Sequence, residues 1–122
     1  MVKTNNIIEI CCPNWLLQHT VNLLDIFLKV NDVKEILMLK ILIADIRAIT
    51  KDESIQPSNV IRFELPSKAV YVLDRALIAI CGMYADNSYF TNDVKAKDFY
   101  LEQYVLIGDI RKYLGLSYSK FI

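Results

Sequence analysis

Glycine, proline and histidine are all scarce in this sequence, and each shortage excludes a class of structure or site. The 122 residues include three glycines, three prolines and one histidine, so the backbone has few places to turn. No glycine-rich loop or Gly-Lys-Ser/Thr triplet is present to cradle a phosphate. With His19 as the only histidine, the paired Glu-x-x-His motifs of carboxylate-bridged metal sites in helical bundles are excluded as well.

An excess of charge of either sign is also absent, because 14 basic residues balance 14 acidic ones. A neutral chain has no strong field to attract nucleic acid or an anionic membrane, so partners held mainly by charge are disfavoured. No segment reaches the roughly 18 uncharged residues of a membrane span, and the N-terminus lacks the apolar run of a secretion signal. The sequence therefore predicts a cytoplasmic protein with no membrane partner.

Three cysteines are too few for a disulfide framework, and two of them are adjacent in the stretch EICCPNW, residues 9–15. Vicinal cysteines point apart, and the usual C-x2-C and H-x3-H spacings are missing, so we predict no zinc site. Cys12 and His19 are about 10 Å apart along a helix, too far for a nucleophile and its base, so catalysis would need Cys81 to meet His19 through the fold. We interpret Cys11 and Cys12 as packing residues and predict a non-enzymatic protein without catalytic residues, cofactor, metal or small-molecule substrate.

Hydrophobic residues make up 54% of the chain, and with so few turns this composition predicts long helices in a single domain, residues 1–122. Pro13 suits the first position of a helix, so the first helix should begin at Cys12 or Pro13. Apart from one polar stripe, the surface of this helix is apolar, and we expect part of that apolar surface to be covered by another subunit. Its polar residues recur at spacings of three and four and form one narrow stripe: Asn14, Gln18, Asn22, Asp25 and Lys29.

A second helix follows after a short connection. Asp32 and Glu35 have the spacing of a capping box and predict a helix from about Val33 to Thr50. The short connection predicts that the first two helices form an antiparallel hairpin. The apolar positions of the second helix that pack on the first are Ile36, Leu39, Leu42, Ile43, Ile46 and Ile49.

Residues 51–66 hold two of the three prolines and the clearest polar cluster, which predicts one long loop. Within it, VIRFEL at 60–65 alternates like a short strand that could pair with IIEI at 7–10. Six residues do not distinguish a strand from a helical turn, so both alternatives stay open here.

Ser67 is predicted to cap a third helix that runs from Lys68 to about Ala85. Asp74 falls on the apolar face of this helix, where a carboxylate needs a partner. No second titratable group accompanies it in sequence. We therefore predict a salt bridge or a hydrogen bond from a tyrosine at Asp74 rather than a general acid.

Thr91 and Asp93 are predicted to open a fourth helix that ends at Leu114, with Gly115 as its C-cap. Four helices with two short joins and one longer join predict an all-α fold, an antiparallel four-helix bundle, with the short two-stranded β element as an open addition. The inward face of the fourth helix is expected to carry Phe99, Tyr100, Gln103, Leu106, Ile107, Ile110, Tyr113 and Leu114.

Aromatic residues are concentrated in the last third of the chain, which holds six of the seven tyrosines. Tyrosine and phenylalanine supply large, rigid contact area at interfaces, although a bundle core uses the same residues. Together with the excess apolar helix surface, they favour a helical bundle that acts through protein–protein contacts, as a homo-oligomer or as an adaptor or regulatory subunit. The aromatic residues in question are Tyr84, Tyr89, Phe90, Phe99, Tyr100, Tyr104, Tyr113, Tyr118 and Phe121.

Basic and aromatic residues also interleave along one flank of the fourth helix and in the tail that follows it. Such interleaving permits phosphate contact and base stacking with single-stranded RNA, which makes RNA binding the alternative function. The candidate contact residues, for RNA or for a protein partner, are Lys97, Tyr104, Arg111, Lys112 and Lys120.

The segment LIGDIRKYLG at residues 106–115, with Tyr118 three residues further on, resembles the last helix of a family of small bacterial four-helix-bundle proteins. These are the intervening-sequence proteins encoded within 23S rRNA genes and the accessory variability proteins of diversity-generating retroelements. The resemblance covers the C-terminal helix only. It implies a ring-like homo-oligomer that assists a reverse transcriptase or a ribosomal RNA system.

Overall fold

The computed structural model describes residues 7–30, 35–51, 56 and 58–119, with side chains for all of these but 30 and 116–119. This part of the chain is mostly helical and contains one small sheet. Its elements, in order, are β1 (Ile7–Pro13), α1 (Asn14–Val30), α2 (Ile36–Thr50), β2 (Val60–Pro66), α3 (Ser67–Phe90) and α4 (Val94–Ser119).

The two strands form an antiparallel sheet in which Ile10 lies opposite Phe63. Side chains on one face of β1 are buried and those on the other face are not, as expected for a sheet covered on one side. The pairing of IIEI with VIRFEL is thereby confirmed, and the prediction of a loop is wrong for residues 60–66. Cys11, Cys12 and Pro13 complete β1, so the first helix begins at Asn14 and not at Cys12 or Pro13.

α1 and α2 lie side by side and run in opposite directions. Gln18 Nε2 donates a hydrogen bond to the Thr50 carbonyl over 3.4 Å, and Arg47 lies 3.4 Å from Asp25. A later residue of α1 thus contacts an earlier residue of α2, as in an antiparallel pair. The predicted packing face of α2 is confirmed, with Ile36 and Ile49 partly buried at its ends. The residues of this face that are fully buried are Leu39, Leu42, Ile43 and Ile46.

Two local predictions for the helix ends and faces need correction. Asn14 was assigned to the polar stripe of α1 but is 1% exposed, because β1 leads directly into the helix and holds its first residue in the interior. Ser67 is the first helical residue of α3, not its cap. Of the predicted capping box of α2, Asp32 lies outside the described residues, and Glu35 makes no side-chain cap bond.

α3 and α4 extend beyond their predicted bounds. α3 continues past Ala85 to Phe90, and α4 continues through Gly115 to Ser119. A glycine ends a helix when it adopts a left-handed conformation, and Gly115 does not adopt one. The predicted start of α4 is confirmed, because Asp93 Oδ1 accepts the backbone N–H of Lys95 over 3.0 Å.

The core lies between the inner face of the sheet and the inner faces of all four helices. Leu24 of α1, Leu77 of α3 and Ile107 of α4 all lie in this core with no exposed surface. Burying one such side chain contributes roughly 1.5–3 kcal/mol, so these contacts are a main source of stability. Among the described residues, no helix combines the length and the apolar character that crossing a membrane requires.

Candidate interaction surface

The cysteines of the opening stretch lie on opposite faces of β1. Cys12 is 2% exposed on the core face, and burial raises the pKa of its thiol to about 12. Cys11 lies half-buried on the outer face, with its Sγ 3.9 Å from Glu9 Oε1. Since the thiolate is the reactive form, a raised pKa keeps Cys12 unreactive at neutral pH. The interpretation of the pair as packing is thus confirmed for Cys12.

His19 is engaged by an amide. Its Nε2 lies 2.6 Å from Oε1 of Gln103, which is itself buried on α4. An amide oxygen can only accept, so Nε2 carries the proton and donates it. This contact joins α1 to α4 and fixes the imidazole ring. Among the described residues, no group of three or more histidine, cysteine, aspartate or glutamate side chains could hold a metal ion.

Asp74 has the structural partner that its position on the apolar face of α3 predicts. Arg111 Nε donates to Asp74 Oδ1 over 2.8 Å, and Nη2 lies 3.4 Å from Oδ2. The hydrogen bond with Asp74 is the main cause that raises the pKa of Arg111. The pair therefore links α3 to α4 at two points, and the predicted salt bridge is confirmed.

The candidate RNA contacts are placed unequally. Lys97, Tyr104 and Lys112 are exposed along α4, whereas Arg111 is half-buried and its guanidinium is occupied by Asp74. Lys120 lies outside the described residues. The set therefore stays a prediction. Within the described part of the chain, three of its members are available to a ligand without breaking an ion pair.

The distal parts of α3 and α4 extend past the core as an antiparallel helical hairpin. Core residues on α3 end at Ile80, and core residues on α4 begin at Ile107. We call residues 82–105 between them the hairpin end. Only Ser88 and Gln103 of these residues are buried. The hairpin end therefore has two long helices but almost no interior of its own.

Aromatic contacts hold the two helices of the hairpin end together. The ring of Tyr84 on α3 lies 6.3 Å from that of Phe99 and 6.0 Å from that of Tyr100, both on α4. Such pairs contribute about 0.5–1.5 kcal/mol beyond the area they bury. Burial, and secondarily the neighbouring Tyr100, raises the pKa of Tyr84, consistent with a partly enclosed phenol.

The outer surface of the hairpin end exposes several large apolar side chains. Tyr89 and Phe90, at the end of α3, are 81% and 76% exposed and stack edge to face at 5.1 Å. Val94, Leu101 and Val105 follow on α4, and spacings of seven and four place them on one side of that helix. This side is opposite the core-facing residue Ile107. The hairpin end thus carries an apolar stripe of three exposed side chains on α4 and an exposed aromatic pair at the end of α3.

The apolar stripe was missed in the sequence, although its signal was present. The helical spacing of Val94, Leu101 and Val105 could have been recognised, but the aromatic residues of the same helix were taken to define its inner face. Phe99, assigned to that face, is 50% exposed. The sequence of α4 contains two apolar faces, either of which could face the core. Only the contacts with α3 show which of them is covered.

Comparisons with protein-family models, with curated proteins and with solved structures find no match for this chain. The resemblance to the intervening-sequence and accessory variability proteins therefore stays a prediction. Function must be argued from the geometry of the molecule. Within the described residues, the exposed apolar side chains of the hairpin end are a feature that internal packing does not explain.

Proposed function

We propose that this protein is a non-enzymatic helical module that acts through protein–protein contacts, with the hairpin end as its main binding surface. In this proposal the four helices form an antiparallel bundle, and the α3–α4 pair carries the surface away from the core. The observation that supports it most directly is the exposed apolar stripe together with Tyr89 and Phe90. Exposed apolar side chains grouped together and rimmed by polar residues mark binding sites in many soluble proteins.

The composition of the hairpin end also fits an interface. Tyrosine and phenylalanine are enriched in the centre of protein interfaces, and charged residues form the rim. Here Lys97, Asp98 and Glu102 flank the stripe and are exposed. Covering side chains such as Phe90 and Val94 would contribute roughly 1.5–3 kcal/mol each, enough for a few residues to dominate binding. The partner is a second copy of the chain or another protein, for which this chain is an adaptor or regulatory subunit.

Site-specific photo-crosslinking tests this function in cells of the native source. A photoreactive phenylalanine analogue replaces Phe90 in one variant and Asn22, an exposed residue of α1, in the control. We expect a discrete crosslinked product from position 90 and none from position 22. Mass spectrometry then identifies the partner as a second copy or another protein. Equal, diffuse labelling from both positions would contradict the proposed surface.

A further inference from the structure

β2 is an open edge of the sheet. It pairs with β1 on one side, and no other described strand lies on its second side. Such an edge presents unpaired backbone N–H and C=O groups to any strand that approaches. Natural edges are often blocked by prolines, but the only proline of β2 is its last residue, Pro66. Most of the strand is therefore able to accept a neighbour.

Charges on the outer face of the sheet are mismatched within one chain. The register places Glu64 directly opposite Glu9, and like charges in this position destabilise a strand pair. Arg62 is the only basic residue of the two strands, and it lies 4.0 Å from Glu9. Glu64 has no salt bridge within the described residues. An exposed carboxylate thus faces a like charge without compensation.

We propose that β2 pairs antiparallel with β2 of a second copy of this chain, about a two-fold axis that passes through Phe63. The sheet then has four strands across the dimer. In this register Arg62 lies opposite Glu64 of the second copy, and the same pair forms again by symmetry. Each Glu64 gains a cation that the described part of its own chain does not supply. The half-buried Phe63 meets its symmetry equivalent on the helix-facing side.

Other arrangements of the strands lose this complementarity. A parallel pair in register would place Arg62 opposite Arg62. An antiparallel pair shifted by two residues would place either Arg62 or Glu64 opposite itself, and a shift by one would join residues that point to opposite faces. Pairing through β1 would bring Glu9 near its copy with no basic residue in the strand. Of these arrangements, the proposed register alone places both Arg62–Glu64 pairs opposite each other.

Apolar surface beside β2 enlarges the contact. Two strands of seven residues bury less than the roughly 1,200 Å² of a stable interface, so flanking residues must contribute. Leu65 and Pro66 line an apolar groove with Leu37 and Ile41 of α2, which are 71% and 54% exposed. The register places Val60 of the second copy, 58% exposed in the single chain, opposite Pro66 at this groove. The strand pair and the groove therefore belong to one surface, separate from the hairpin end.

Charge reversal with rescue tests this dimer by analytical ultracentrifugation. Wild type should sediment as a dimer, at twice the 14.1 kDa of one chain. Arg62→Glu and Glu64→Arg should each raise the dissociation constant about tenfold or more, because both attractive pairs become repulsive. A mixture of the two variants should dimerise again, since one chain then carries carboxylates at both positions and the other carries guanidinium groups at both. Circular dichroism checks that these exposed substitutions leave the fold unchanged.

The outcomes separate this proposal from the function of the hairpin end. A monomeric wild type, unweakened dimers of the single variants, or a mixture that stays monomeric would each overturn pairing through β2. A monomeric wild type would also exclude a second copy as the partner of the hairpin end and leave another protein, whereas the other two results do not bear on crosslinking at position 90. As a matched control, Phe90→Ser should leave the β2 dimer intact.

Discussion

Single residues in this protein mostly serve packing, even where their chemistry suggests more. Cys12 fills the space under β1, Asp74 is held by Arg111, and His19 is held by Gln103. The first two roles were predictable from one sequence, because a thiol between hydrophobic residues and a carboxylate on an apolar face have few stable alternatives. The contact of His19 was not predictable, since it joins residues 84 positions apart through the crossing of two helices.

The burial of Cys12 predicts a pH dependence of stability. Its pKa rises from the ordinary value of 9.0 to about 12, so the thiol stays protonated in the folded state while the unfolded chain ionises. The buried thiol's contribution to the free energy of unfolding is complete below pH 9. It is lost as the pH rises towards 12, by up to about 1.4 kcal/mol per pH unit. Between about pH 9 and pH 11, the free energy of unfolding should therefore fall roughly 2 kcal/mol further in wild type than in Cys12→Val.

Urea denaturation at several pH values measures this difference. Cys12→Val keeps an apolar side chain of similar size and removes the titrating group, while the other ionisable residues stay common to both proteins. The 2% exposure of Cys12 indicates that its thiol is shielded from water. Parallel pH profiles of the free energy of unfolding for wild type and Cys12→Val would contradict this.

The elements were predictable to the extent that their own sequence fixes them. The periodicity of α1 and α2 predicted their packing faces, since a single apolar face leaves one way to pair. Residues 85–90, Ala-Asp-Asn-Ser-Tyr-Phe, contain poor helix formers and predicted an end at Ala85. Contacts of Tyr84 with α4 hold this part of α3 in the helical hairpin and override the local preference. The sheet joins segments about 50 residues apart, which no local pattern specifies.

The hairpin end should open more readily than the rest of α3 and α4. It buries only two side chains, so little free energy is lost when its helices separate. Tyr84→Ala removes both ring contacts between the helices and should speed amide hydrogen exchange in residues 82–102 several-fold, with no change around Leu77 in the core. Hydrogen exchange with mass spectrometry measures both regions in one experiment.

Tyr89→Ala is the matched control for this prediction. It removes an aromatic ring from the same helix, but that ring is 81% exposed and contacts only its neighbour Phe90 among the described rings. Exchange in the hairpin end should stay at the wild-type rate. Equal acceleration by the two substitutions would mean that the Tyr84 cluster does not hold the helices together.

The whole molecule combines a neutral charge with two apolar surfaces, the hairpin end and the edge of β2 with its groove. The excess of apolar surface could be predicted from composition, because 54% hydrophobic residues exceed what a single small core can bury. Its location could not, since the sequence pointed to the outer side of α1. In the structure α2 covers much of that helix, and Ile26 and Trp15 are its exposed large hydrophobic residues.

At the scale of the molecule, the neutral charge favours a protein partner over RNA. Affinity for single-stranded RNA depends on phosphate contacts, and each contact contributes about −0.7 to the slope of log K against log salt concentration. The guanidinium of Arg111 is bound to Asp74. Among the described basic residues of the candidate set, Lys97 and Lys112 therefore remain for phosphate contacts. We predict that fluorescence anisotropy detects no micromolar binding of labelled RNA at about 150 mM salt. The contrary result is binding with a salt slope near −1.4, whose magnitude is halved in Lys97→Ala but not in the control Lys40→Ala. It would establish the RNA function and displace the proposal of a protein-binding module.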